Sequence, residues 1–307
     1  MNSLIEQATR RLEQLRQAGV VIEPPSSRHN KDKEGNEVGV INSAPKVDEF
    51  SSETNKKTAS FSRKVELDLD ALAAAGIVSP NSPRSQIADQ YRVIKRPLIS
   101  NAMGKGASVI NNGNLIMVTS ALAGEGKSFS AINLAMSIAT ELDNTVMLVD
   151  ADVARPSVLR MLGLPASPGL LDLLVGDVDD LSSVLLKTNI DKLTLLPSGT
   201  PHLRATELLA SEAMSQLIRN IANRYSDRII IFDSPPLLLT TESRVLATHM
   251  GQIVMIVHAE KTLQVDIQHA LSSIEACPVK MMVLNQAKNG FQGGYGGYGY
   301  GYGYGYE

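Results

Sequence analysis

Cysteine is almost missing from this chain: Cys277 is the only one in 307 residues, which excludes an internal disulfide framework. It stands just ahead of an apolar run, where a small buried hydrophobe is the expected role rather than a nucleophile. No apolar run approaches the roughly 20 residues that a membrane-spanning helix needs. The opening stretch, MNSLIEQATRRLEQLRQAGV, mixes acids with bases and has no long apolar core, which argues against a secretory signal. Nor does one sign of charge dominate. Lys and Arg number 29 against 32 Asp and Glu, for a formal net charge of -3, so no global basic field points to nucleic acid. The expected setting is reducing and cytoplasmic, with any membrane role supplied by a partner.

Four regions differ in composition. In 1–21, Leu4, Ile5, Ala8, Leu12 and Leu15 recur at helical spacing, which predicts an amphipathic helix over 2–19. It would dock on its own domain or on a partner; the spacing fits both. Residues 22–63 are rich in Ser, Pro, Lys, Asn and Glu and read as a disordered linker. Residues 64–290 alternate short apolar runs with helical patterns. The predicted strands are 115–119, 145–149, 193–196, 229–232, 253–257 and 280–284. The predicted helices are 127–142, 206–225 and 263–275. Such alternation indicates an α/β domain, a mostly parallel sheet with helices on both faces. Residues 291–307, FQGGYGGYGYGYGYGYE, are a flexible glycine-tyrosine tail.

Three motifs carry the chemistry. Ala121-Leu122-Ala123-Gly124-Glu125-Gly126-Lys127-Ser128 lies between a predicted strand and a predicted helix, the context a P-loop requires. Backbone N–H groups and a helix N-terminus would surround phosphate oxygens there. Lys127 would reach the β- and γ-phosphates, and the Ser128 hydroxyl would bind Mg²⁺. Ala121 stands where the common pattern has glycine. The second motif ends an apolar strand with Asp150 and Asp152, two carboxylates leaving on the same side. They can hold Mg²⁺ or take a proton from an attacking hydroxyl. The third, Ile229–Phe232 followed by Asp233-Ser234-Pro235-Pro236, is another strand ending in an acid, as in a Walker B element. Together they mark a P-loop NTPase-like fold.

With these motifs on the page, the chain over about 85–290 resembles the bacterial tyrosine kinases, and most closely the exopolysaccharide- and exosortase-associated tyrosine autokinases. The resemblance implies ATP and Mg²⁺ as cofactors. It implies that Gly124, Glu125, Gly126, Lys127, Ser128, Phe129 and Asn285 contact the nucleotide. Ser128, Asp152 and Asp233 would serve the metal, and Asp150 would help deprotonate a tyrosine. Asp89-Gln90-Tyr91-Arg92-Val93-Ile94-Lys95 is similar to the family's Glu-x-x-Arg-x-x-Arg helix, which packs subunits into rings. Asp89, Arg92 and Lys95 are therefore the expected self-association residues, although Asp and Lys replace the usual Glu and second Arg. After Asp152 the family places Arg two residues on; here Ala154 stands there and Arg155 follows.

Tyr295, Tyr298, Tyr300, Tyr302, Tyr304 and Tyr306 are the expected phosphoacceptors, since glycine spacing lets each present in turn. The resemblance further implies a membrane polysaccharide co-polymerase as activator, a cognate tyrosine phosphatase, and a position at the inner membrane through that partner. Two rivals share the motifs: a partition- or septum-type P-loop ATPase, and a non-catalytic ATP-gated regulator of a polysaccharide complex. The first carries an extra lysine five residues before the P-loop lysine, where this chain has Leu122. His258, at the end of an apolar run, reads as structural.

Overall fold

The structure is a computed structural model and describes residues 62–80, 85–224 and 228–288. The helix expected at 2–19, the linker up to residue 61 and the tail at 291–307 lie outside the described residues.

The strands among these residues are β1 (Arg63–Lys64), β2 (Leu115–Ser120), β3 (Thr145–Asp150), β4 (Leu186–Lys187), β5 (Leu193–Leu196), β6 (Arg228–Asp233), β7 (Gln252–His258) and β8 (Val279–Asn285). They form one sheet in the order β1-β4-β5-β3-β6-β2-β7-β8. Every pairing is parallel except β4 with β5. The six strands read from the apolar runs are all present, each within a residue or so at either end. Short β1 and β4 lacked a run long enough to be seen.

The central strands are apolar throughout because both faces are covered, and their side chains divide by the two-residue period of a strand. Ile116, Val118, Val146, Leu148, Ile229 and Ile231 face one core. Leu115, Met117, Met147, Val149, Ile230 and Phe232 face the other. The first face is covered by α1 (Leu69–Ala74), α2 (Gln86–Ala102), α3 (Lys127–Ala139) and α4 (Val158–Met161). On the second lie α5 (Leu170–Val175), α6 (Leu181–Val184), α7 (Ala205–Leu209), α8 (Glu212–Arg224), α9 (Glu242–Ala247) and α10 (Gln264–Ser272).

The helix expected at 206–225 is two helices. Ser211 interrupts it, its Oγ accepting from the Met214 N–H at 3.2 Å and so capping α8 afresh. Gln252 is fully buried at the start of β7. Its amide donates to Leu98 O (3.0 Å) and Gly113 O (2.6 Å) and accepts from Asn101, which fixes the end of α2 to the sheet. Cys277 is buried, as expected of a small hydrophobe.

The structure corrects the reading of α2. Ala88, Tyr91, Lys95 and Leu98 form its inward face. Lys95 is therefore not an outward interface residue. Its ammonium donates to Ser137 O (2.5 Å) and pairs with Glu141 (2.6 Å) at the C-terminal end of α3. That end carries unpaired carbonyls and partial negative charge, which draws the cation inward. Asp89 and Arg92 do face solvent, paired with each other at 2.5 Å.

Candidate active site

The functional residues gather at the carboxyl ends of β2, β3 and β6, where the chain leaves each parallel strand. From β2 the chain turns at once through Gly124 (φ +83°) and Gly126 (φ +93°), both left-handed. An L side chain there costs about 1–2 kcal/mol in backbone strain. Gly126 is also the N-cap of α3, and an added Cβ would collide with the Asn285 side chain. The turn leads straight into the N-terminus of α3, a geometry suited to cradling phosphate.

The turn is held from behind. Glu125 is buried, and its carboxylate accepts from the Leu122 N–H (2.8 Å) and from the Thr262 hydroxyl. Asn285, ending β8, donates to Glu125 O at 2.9 Å. Both residues, expected at the nucleotide, also support the shape of the loop, and Asn285 lines a cavity beside it with Phe129. Thr262 gave no sign in the sequence, since only tertiary folding brings it 137 residues back to Glu125.

Beside the loop stand the three aspartates. β3 and β6 are adjacent and in register, with Asp150 opposite Asp233. The Lys127 ammonium meets Asp152 Oδ2 at 2.5 Å and ties the P-loop to the acidic end of β3. Asp150 Oδ2 accepts from the Ser157 and Val158 N–H groups at the start of α4, at 3.2 and 3.1 Å, while its Oδ1 has no partner. Burial raises the Asp150 carboxyl to about 6, opposed by the Val158 N–H and reinforced by the charge of Asp152. Asp233 is fully buried, and neither oxygen has a partner of hydrogen-bond geometry. Burial pushes it to about 7, against the weaker pull of Lys127 and the Ser128 hydroxyl.

Buried carboxylate oxygens without donors are costly unless something else satisfies them. A hydrated Mg²⁺ does so, because it takes one or two carboxylates together with phosphate oxygens and water. No set of three or more His, Cys, Asp or Glu side chains among the described residues is arranged to hold a metal by itself. The unpartnered Asp233 oxygens would suit a metal that arrives with a nucleotide, with the Ser128 hydroxyl and Asp152, now paired to Lys127, as its further candidates.

A cavity of about 570 Å³ opens in front of Lys127, Ser128 and Asp152. Phe129 and Arg155 also line it, with Arg160 and Met161 from the end of α4, and Pro235, Pro236, Leu239 and Thr240 beyond β6. The diproline loop is positioned by β2. Ser234 N–H donates to Val118 O (3.1 Å), Leu237 N–H to Ser120 O (2.8 Å), and the Thr119 hydroxyl to Pro235 O (2.9 Å). Arg160, Met161 and Leu239 were not foreseen; the prolines after Asp233 were the one hint that this stretch bounds a site. His258 is engaged with Ala259 O and Thr262, as suits a structural residue.

A loop-cradled phosphate site flanked by acids at neighbouring strand ends defines a P-loop nucleotide-binding domain. The chain belongs to the AAA domain family, whose model matches residues 113–278. Within it the chain belongs with the bacterial tyrosine-protein kinases. It is 29% identical to the tyrosine-protein kinase YwqD of Bacillus subtilis, over 72% of this chain and 90% of that protein. It is 32% identical to the putative tyrosine-protein kinase EpsB of Ralstonia nicotianae, over 60% of this chain but 24% of that protein. The chain thus spans most of the first relative and about a quarter of the second. The crystal structure of the chimerical protein CapA2B2 superposes with a TM-score of 0.56 at 25% identity, over 72% of this chain and 93% of that one.

Proposed function

We propose that this chain is an ATP-dependent tyrosine autokinase whose acceptors are Tyr295, Tyr298, Tyr300, Tyr302, Tyr304 and Tyr306. One observation carries the reading: the contact of Lys127 with Asp152 joins the phosphate loop to a strand-end carboxylate on the wall of an open cavity, with Asp150 and Asp233 just behind. Lys127 draws charge from the β- and γ-phosphates of ATP. Mg²⁺, served by Ser128, Asp152 and Asp233, supplies charge neutralisation at those same oxygens when bound. A tyrosine oxygen forms a bond to the γ-phosphorus as the bond from that phosphorus to the bridging oxygen breaks. ADP leaves with the electron pair. The phenolic proton passes to Asp150, whose carboxyl titrates at about 6 and keeps one oxygen free.

The proposed setting rests on the likeness to the family. The protein works in the cytoplasm, at the inner membrane through a polysaccharide co-polymerase that activates it, and a tyrosine phosphatase reverses the modification. Copies associate through the outward residues of α2, Asp89 and Arg92. No helix among the described residues is long and apolar enough to cross a membrane, which fits an attachment through a partner.

Mass spectrometry of the full chain after incubation with ATP and Mg²⁺, alone and with its activator, tests this. Phosphate should fall on the tail tyrosines, and Lys127→Met should carry none. A partition-type ATPase would hydrolyse ATP and leave every tyrosine unmodified. With all six tail tyrosines changed to Phe, nucleotide binding should persist while most of the label disappears. Full labelling of that variant would move the acceptor elsewhere.

A further inference from the structure

Part of the cavity wall is built differently from the phosphate loop. It consists of two segments that leave the adjacent strands β3 and β6. From the first come Arg160, exposed, and Met161, half-buried; from the second come Pro236 and Leu239, the latter 59% exposed. No ion pair among the described residues engages the Arg160 guanidinium. A thioether, a proline ring and a leucine are poor phosphate ligands, and they line the same cavity as the Arg160 guanidinium. They match the two faces of an aromatic ring. Apolar and sulfur contacts suit its edge and one face, and a guanidinium stacks on the other.

We propose that Arg160, Met161 and Leu239 form the acceptor subsite, which holds a tyrosine ring in a glycine-flanked peptide with its hydroxyl turned toward the end of β3, where Asp150 and Asp152 stand. This rests on the kinase reading above and adds the positioning residues for its acceptor. Serine and threonine are too short to fill the apolar walls, so the subsite selects phenols by lost contact area. Glycine on either side of the ring removes neighbouring side chains from the cavity mouth, which is the pattern of the chain's own tail. Asn285, ending β8, and Gln286 after it donate to main-chain carbonyls of the P-loop, at 2.9 and 3.4 Å. From Lys288, the seven residues to Tyr295 span at most about 25 Å.

The test uses the full chain with its six tail tyrosines changed to Phe, so that the acceptor must be added. A fluorescein-labelled peptide of residues 297–303 is titrated by anisotropy in the presence of Mg²⁺ and a non-hydrolysable ATP analogue. The nucleotide is titrated separately with a fluorescent analogue. Leu239→Ser and Arg160→Ala should each weaken the peptide by about five- to tenfold and leave nucleotide affinity within about twofold. Leu239→Met should restore peptide binding, whereas Arg160→Lys should not, since an ammonium lacks the planar stacking face. Unchanged peptide affinity in both variants, or equal loss of peptide and nucleotide, overturns the subsite. A parent chain that binds nucleotide but no peptide overturns it too. A parent chain that binds no nucleotide overturns the kinase reading itself.

Discussion

At the scale of single residues, the site concentrates buried charge at Asp233 and Asp150. Their carboxyls titrate at about 7 and about 6 in the fold, raised from 3.8 chiefly by burial. A raised carboxyl favours the folded state while it stays protonated. That contribution is complete below pH 4 and is lost as pH rises through 6 and 7. In metal-free buffer with EDTA, the melting temperature should therefore fall from pH 5 to pH 8, by roughly 5–10 °C for a domain of this size. Asp233→Asn should flatten much of that fall, because the amide never ionises. A melting temperature insensitive to pH in the parent would contradict the burial of these groups. Lys127→Met acts on chemistry instead. It should cut autophosphorylation by at least about a hundredfold, as expected for a group aimed at developing charge.

Among the elements, the P-loop is shaped by partners distant in sequence. Asn285→Ala removes the clasp on Glu125 O without touching the phosphate cradle. It should weaken nucleotide binding by about three- to tenfold, consistent with losing one hydrogen bond of about 1 kcal/mol, with little change in kcat. Gly126→Ala should be far worse, because it meets both a left-handed backbone and the Asn285 side chain. The helix α2 separates two roles that its motif ran together. Lys95→Ala leaves the C-terminal end of α3 without its cation and should destabilise the domain by about 1–2 kcal/mol. Arg92→Ala breaks only an exposed pair and should leave the melting temperature within about a degree. Equal thermal effects of the two changes would mean that Lys95 is not the buried cap described.

For the whole molecule, the proposed phosphorylation would make the tail the dominant charge. Each phosphotyrosine adds about -1.5 to -2 charges at pH 7, so six add on the order of -9 to -12 to a chain whose formal net charge is -3. Repulsion between such tails should loosen any assembly of copies. Light scattering of the phosphorylated and unphosphorylated forms checks this, with a smaller mass expected after phosphorylation and a stronger effect at low salt. Identical masses would remove self-repulsion as a switch.

Linear patterns by themselves determined six of the eight sheet strands, the P-loop helix and the acids at the ends of β3 and β6. Each is written in contiguous residues whose periodicity or local turn chemistry has one physical solution. An apolar run of strand length that ends in Asp tells its own story at Asp150 and Asp233, as does glycine either side of Glu125. What only the tertiary structure decided depends on contacts between segments far apart in the chain. Lys95 reads as an exposed base until Glu141 and the end of α3 are brought against it. The part Glu125 and Asn285 play in shaping the loop shows only when folding sets Thr262 and a P-loop carbonyl beside them. Arg160 and Leu239 share a cavity only because β3 and β6, far apart in sequence, are neighbours in the sheet. Hydrophobic spacing acts over a few residues and is legible in one dimension. The partner of a polar group is settled by the packing of the whole domain.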